Sequence, residues 1–183
     1  RTVGKKLAQK LQIPCYDQEI IEKIAAESGF AEDYIRDRSE YSPHTSWIAN
    51  AFSERFFSGV NNQDAIWMLQ RKIILDLAEQ GPCVIVGRAA DCILKNFPRS
   101  VHVFIHAPLD ERIRRARDDY KEPMDNPERA LQKKDKSRAA FYNTYSEYPW
   151  GDIRNYDMAL NSSIGIEKSA DIIWDYVKAK FGA

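Results

Sequence analysis

Cys83-Val84-Ile85-Val86-Gly87-Arg88 is the stretch on which the reading of the whole chain turns. Four apolar residues, mostly β-branched, follow Gly81-Pro82 and end at a glycine, which predicts a strand. No polar residue alternates with them, so the strand is expected to be buried on both faces, as inside a parallel sheet. Gly87 lets the chain turn sharply at the strand's carboxyl end. Arg88 is then expected at the mouth of the sheet, where open α/β folds hold their ligands. A planar, permanently charged guanidinium there suits a phosphate or a carboxylate. The residue alone leaves a second reading equally open, in which Arg88 starts a surface helix and pairs with an acid.

The 183 residues suffice for one domain with a core and a small insert. The 27 Lys and Arg balance the 27 Asp and Glu, so no global field favours nucleic acid or an anionic membrane. No apolar run approaches the ~20 residues that span a bilayer, and no signal peptide is visible. Cys15, Cys83 and Cys92 lack C-x-x-C spacing and are expected as free thiols in a reducing cytoplasm rather than as metal ligands.

Outward from the central stretch, the apolar runs alternate with helical patterns. Val3, Leu7, Ala8 and Leu11 form one stripe of an N-terminal helix that starts without a cap, so a segment upstream of Arg1 is expected. Residues 13–16 predict a short strand, with Asp17 placed to cap the helix that follows. Residues 30–38 and 47–57 predict further helices. Trp47, Ile48, Ala51, Phe52 and Phe56 form an aromatic stripe, read as core, with a homodimer contact as the alternative. A long amphipathic helix over 64–80 carries Trp67, Met68, Ile73, Ile74, Leu77 and Ala78. Beyond Arg88, a short helix leads to a second buried strand at 101–106. The next helix has an acidic first turn, as the helix dipole prefers, and carries Arg112, Arg114, Arg115 and Arg117. Pro127 fits the first turn of another helix. A last strand at 156–160 precedes a final helix over 166–181. Alternation of this kind implies a parallel sheet covered on both faces. Residues 30–80 are too long for a simple crossover and read as a helical lobe over the cleft.

Six segments, in order, resemble the cytidylate-kinase-like branch of the nucleoside monophosphate kinases, within the P-loop NTPases. They are Val3-Gly4-Lys5-Lys6-Leu7-Ala8, Tyr16-Asp17-Gln18-Glu19-Ile20-Ile21, Val84-Ile85-Val86-Gly87-Arg88, Val103-Phe104-Ile105-His106-Ala107-Pro108 with Glu111-Arg112, Asp135-Lys136-Ser137-Arg138, and Asn161-Ser162-Ser163 before a helix. The resemblance implies one kinase-like α/β domain over 1–183, with an acceptor-side lobe at 30–80 and a lid at about 115–150. It implies a P-loop NTPase-like, five-stranded parallel sheet with helices on both faces. The fifth strand would lie upstream of Arg1 or just inside it.

Roles follow the same positions. Arg88 would bind the acceptor phosphate, Asp17 would lie beside the acceptor nucleoside, and Lys23 would take the place of an acceptor-phosphate arginine. Asp135 would hold ribose hydroxyls, and Arg138 would contact phosphate when the lid closes. Arg112 and Arg115 would meet the donor nucleotide, and Arg1 and Thr2 would follow the phosphate loop, with Thr2 near Mg²⁺. The Gly-rich loop itself is not in the sequence. Ala89 stands where cytidylate kinases carry an acid that recognises the acceptor. The expected activity is transfer of the ATP γ-phosphate, with Mg²⁺, to a small-molecule nucleotide, CMP or dCMP. The alternatives are a kinase with another acceptor, and a nucleotide-binding regulatory or interaction protein without turnover. Phosphoryl transfer needs charge neutralisation and in-line positioning more than covalent chemistry, which basic residues gathered at strand ends would supply.

Overall fold

Val3, Leu7 and Ala8 are buried on one face of the first helix, so the 3.6-residue period decides the structure of the N-terminal segment. This helix, α1 (Thr2–Leu11), ends at Gln12 in the left-handed conformation, and the chain enters β1 (Cys15–Tyr16). The computed structural model describes residues 1–17, 20, 62–121 and 125–182. The expected helices at 30–38 and 47–57, the Trp47–Phe57 stripe and Lys23 lie outside these residues, as do positions 122–124 of the expected lid.

The described elements continue with α2 (Asn62–Glu79), β2 (Val84–Ile85), α3 (Ala90–Ile93), β3 (Val103–His106) and α4 (Leu109–Asp118). Then come α5 (Pro127–Tyr145), a 3-10 turn (Ile153–Asn155), β4 (Met158–Asn161), a second 3-10 turn (Ser162–Ile164) and α6 (Ile166–Phe181). Local chemistry accounts for several boundaries. Asn126 caps α5 by accepting from the Arg129 amide at 2.9 Å, and Pro127 takes the first helical position, where an amide proton would have no partner. Asp110 and Glu111 open α4. Among the described residues, no helix is long and apolar enough to cross a membrane.

The strands pair in parallel, as expected, but not in one five-stranded sheet. β1 pairs only with β2 (Cys15 with Val84, Tyr16 with Ile85), and β3 only with β4 (Val103 with Met158 through His106 with Asn161). Two two-stranded sheets therefore replace the expected one among the described residues. The segment just inside Arg1, one of the two places allotted to a fifth strand, is the helix α1. No described strand runs between β2 and β3, and their backbone edges do not meet. The expected burial on both faces is corrected too: Val84, Ile85 and Val86 are half-buried and Ile105 is exposed.

Side chains that alternate across β2 serve two cores. Val84 packs with Val3, Leu7, Ala170 and Ile173 of α1 and α6, together with Val103, Met158 and Leu160 of the second sheet. Ile85 packs with Ile20, Ile73, Ile74, Leu77, Ala90 and Leu94, which links α2 and α3 to β1 and β2. Each fully buried aliphatic side chain contributes about 1.5–3 kcal/mol. Met68, read from the sequence as part of the apolar stripe of α2, is instead exposed.

Candidate functional site

Three successive residues after β2 take left-handed backbone angles: Gly87 (φ 76°), Arg88 (φ 61°) and Ala89 (φ 50°). Glycine adopts this region freely, whereas Arg and Ala are each strained there by about 1–2 kcal/mol. Three hydrogen bonds hold the turn. The Ala90 amide donates to Gly87 O at 3.1 Å, the Ile93 amide donates to Ala89 O at 3.1 Å, and Gln70 Nε2 donates to Arg88 O at 2.9 Å. Arg88 is 6 % exposed, so it is enclosed at the end of β2 rather than standing on an open rim. The surface placement in the second reading of Arg88 is thereby corrected. Ala89 is buried as well, so an acid at that position would have to lose its hydration.

Asp17 follows β1 directly and is buried, with Arg1 Nε 2.8 Å from its Oδ2. Across α4 and α5, Arg112 grips both oxygens of Asp135, with Nη2 2.8 Å from Oδ1 and Nη1 2.7 Å from Oδ2. Arg138, one turn along α5, adds a third contact to Asp135 Oδ1 at 3.2 Å. Arg1 with Asp17, and Arg112 and Arg138 with Asp135, are two ion-paired groups in which three guanidiniums face two carboxylates. The surplus positive charge suits an anion.

Arg115 is held elsewhere. Its Nη1 donates to Ser162 Oγ at 2.9 Å and its Nη2 to Ser162 O at 2.6 Å, while Ser162 Oγ donates to His106 O at 3.1 Å. The arginine therefore ties α4 to the carboxyl ends of β3 and β4. Thr2 Oγ1 lies 2.6 Å from Tyr120 Oη, so the end of α4 reaches the start of α1. Below this edge, the hydroxyl of buried Tyr142 donates to Asp91 Oδ2 at 2.6 Å and accepts from Asn155 Nδ2 at 2.9 Å. Burial first, and then the bond to Asp91, push the Tyr142 phenol up to about 12.

Sequence reasoning missed Gln70, Ser162 as the partner of Arg115, and the Tyr142–Asp91 pair. Gln70 left a readable signal: it is the one polar residue on the stripe it shares with Ile73, Ile74 and Leu77. The other two depend on contacts between residues 47 and 51 positions apart.

Residues 1–164 match the cytidylate kinase-like family. The chain belongs to that family. No curated protein matches it. Among solved structures it is similar to an uncharacterized protein from Eubacterium ventriosum, with 24% identity and a TM-score of 0.69 over 97% of this chain and 89% of that one. That likeness concerns the fold alone. For a cytidylate kinase-like chain, family membership suggests a nucleotide kinase, and the arginines described above are the groups available to such an activity.

Proposed function

We propose that this cytidylate kinase-like protein transfers the γ-phosphate of ATP to a nucleoside monophosphate, CMP or dCMP, within a single domain spanning 1–183. The observation that carries the reading is the grip of Arg112 and Arg138 on Asp135, with Arg1 on Asp17 after β1 and the enclosed Arg88 after β2. In this reading Arg88 binds the acceptor phosphate, with Asp17 beside the acceptor nucleoside and Lys23 as a second cation. Asp135 holds the donor ribose. Arg1, Arg112, Arg115 and Arg138 meet donor phosphates and stabilise the charge that spreads over the transferred group.

Mg²⁺ bound to phosphates prefers oxygen ligands and takes only one or two from protein. The Thr2 hydroxyl would supply one such oxygen. Among the described residues, no cluster of three His, Cys, Asp or Glu could hold a metal by itself. The ion would neutralise phosphate charge, while the chain's own residues bind, orient and exclude water.

Ala89 supports a second reading, a kinase with a different acceptor, because this buried methyl group offers an acceptor base no charge or hydrogen bond. One experiment tests both. ADP formation by the full-length protein with ATP and Mg²⁺ is followed while CMP, dCMP, UMP, AMP and GMP are added in turn. The first reading expects CMP or dCMP to accelerate it most. Acceleration by another monophosphate favours the second reading, and none by any of them overturns the assignment.

A further inference from the structure

Gln70 is fully buried on α2, among Ile73, Ile74 and Leu77. A carboxamide at such a place loses its hydration and is tolerated only if its hydrogen bonds compensate. Gln70 makes one such bond. Its Nε2 donates to Arg88 O at 2.9 Å, and its Oε1 has no hydrogen-bond partner. A leucine or methionine would fill the same volume without an orphaned oxygen, so packing alone does not account for the residue. The acceptor of that bond is the middle carbonyl of the left-handed run Gly87–Arg88–Ala89. The bonds that open α3 use the carbonyls on either side of it, those of Gly87 and Ala89.

We propose that Gln70 is a positioning residue for Arg88. By clamping the peptide that follows Arg88, it holds a strained turn in the one conformation that directs the guanidinium to the acceptor phosphate. A strained turn persists only when its surroundings over-determine it, and this bond is a restraint on the turn's backbone supplied by another element, α2. The orientation of Arg88 is therefore tied to α2, the helix that leads out of the acceptor-side segment. The inference rests on the reading of Arg88 as the acceptor-phosphate residue.

The test compares full-length wild type with Gln70→Met and Gln70→Glu. Met keeps the length and apolar fit but leaves the Arg88 carbonyl without its donor, so the melting temperature is expected to fall by only a few degrees. In Gln70→Met the KM for the nucleoside monophosphate is expected to rise about tenfold while the KM for ATP stays put. The amides of Ala90 and Ile93 are expected to exchange with solvent about tenfold faster, with those of α6 unchanged. Gln70→Glu sets a carboxylate against the Arg88 carbonyl at neutral pH. Its acceptor defect should shrink as the pH falls, because the protonated acid can donate again. A residue that merely fills space shows neither the acceptor-specific KM change nor the acid rescue. Wild-type exchange of the Ala90 and Ile93 amides in Gln70→Met overturns the proposal, and so does an unchanged acceptor KM. If wild type transfers phosphate to no monophosphate, the kinase reading fails, and amide exchange alone decides whether Gln70 holds the turn. If Gln70→Met does not fold, the pH dependence of turn exchange in Gln70→Glu decides it.

Discussion

Arg88 combines two demands that usually conflict: it carries a permanent charge, and it is enclosed. The sequence placed it correctly after a strand but expected an open rim, where its loss would leave the core untouched. Enclosure changes the forecast for mutation. Arg88→Ala should lower both stability and activity, because it opens a void as well as removing a charge. Arg88→Lys separates the two effects, since it keeps most of the volume and the charge but not the planar fork. For Arg88→Lys we expect a melting temperature within a few degrees of wild type. Acceptor kcat/KM should fall by roughly ten- to hundredfold, the loss of about 1.5–3 kcal/mol of charge-assisted bonding. Thermal melts run beside initial-rate kinetics check this, and unchanged acceptor kinetics would show that the guanidinium is structural. The left-handed angles at Arg88 and Ala89 could not be read from the sequence, because neither residue type favours them. They are imposed by the bonds on either side.

Between elements, α1 packs closely on β2 and the residue that follows it. A Cβ built on Gly4 would lie 2.7 Å from Val86 Cγ2 and 3.5 Å from Val84 Cγ1. Alanine would improve the helix by about 1 kcal/mol in isolation. The branched valines beside it are stiff at χ1 and yield little, so overpacking should win. Gly4→Ala is expected to lose about 1–3 kcal/mol by urea denaturation, with partial recovery when Val86→Ala is added. A more stable Gly4→Ala protein would show that the two elements separate easily.

The join of α5 to α3 offers a pH test. Tyr142 ionises at 10.0 when unperturbed, and in the fold burial, followed by the bond to Asp91, raises this to about 12. The fold prefers the protonated phenol. The contribution is therefore complete below the unfolded value and fades as the pH rises from 10.0 through about 12. Stability should decline across this window in wild type and more shallowly in Tyr142→Phe, measured by denaturant titration at each pH. At neutral pH, Tyr142→Phe should itself cost about 1.5–3 kcal/mol, since Asp91 loses its phenol donor. Parallel wild-type and mutant curves would count against this role.

Taken together, the described residues are joined through charge as well as through the two apolar cores. Arg115 links α4 to the ends of β3 and β4, while Arg112 and Arg138 converge on Asp135. If Asp135 anchors the donor ribose, it must share itself between that ligand and Arg112. Asp135→Asn is then expected to weaken ATP binding by about tenfold or more, the loss of charged hydrogen bonds. Inorganic tripolyphosphate, which has no ribose, should bind the variant as well as or better than wild type, because both arginines are released from the carboxylate. Calorimetric titrations with the two ligands distinguish these effects. An equal loss for both would assign Asp135 to holding the arginines in place instead.

Helices were legible because their signal is local. The apolar period and the proline and acidic first turns placed α1, α2, α4, α5 and α6 near their observed bounds, and the final helix, expected over 166–181, is Ile166–Phe181. Strand positions and their parallel sense were legible too, from short apolar runs separated by helices. Their number in a sheet was not. Apolarity marks a segment as extended but says nothing about which backbone edge will lie beside it, and β2 and β3 each have one partner rather than two among the described residues. The arginines and aspartates proposed for the site were chosen from their sequence context. Which carboxylate each arginine holds, the enclosure of Arg88 and the clamp from Gln70 arise only when distant segments meet. Hydrogen bonds and desolvation act over a few ångströms of space, whatever the separation along the chain.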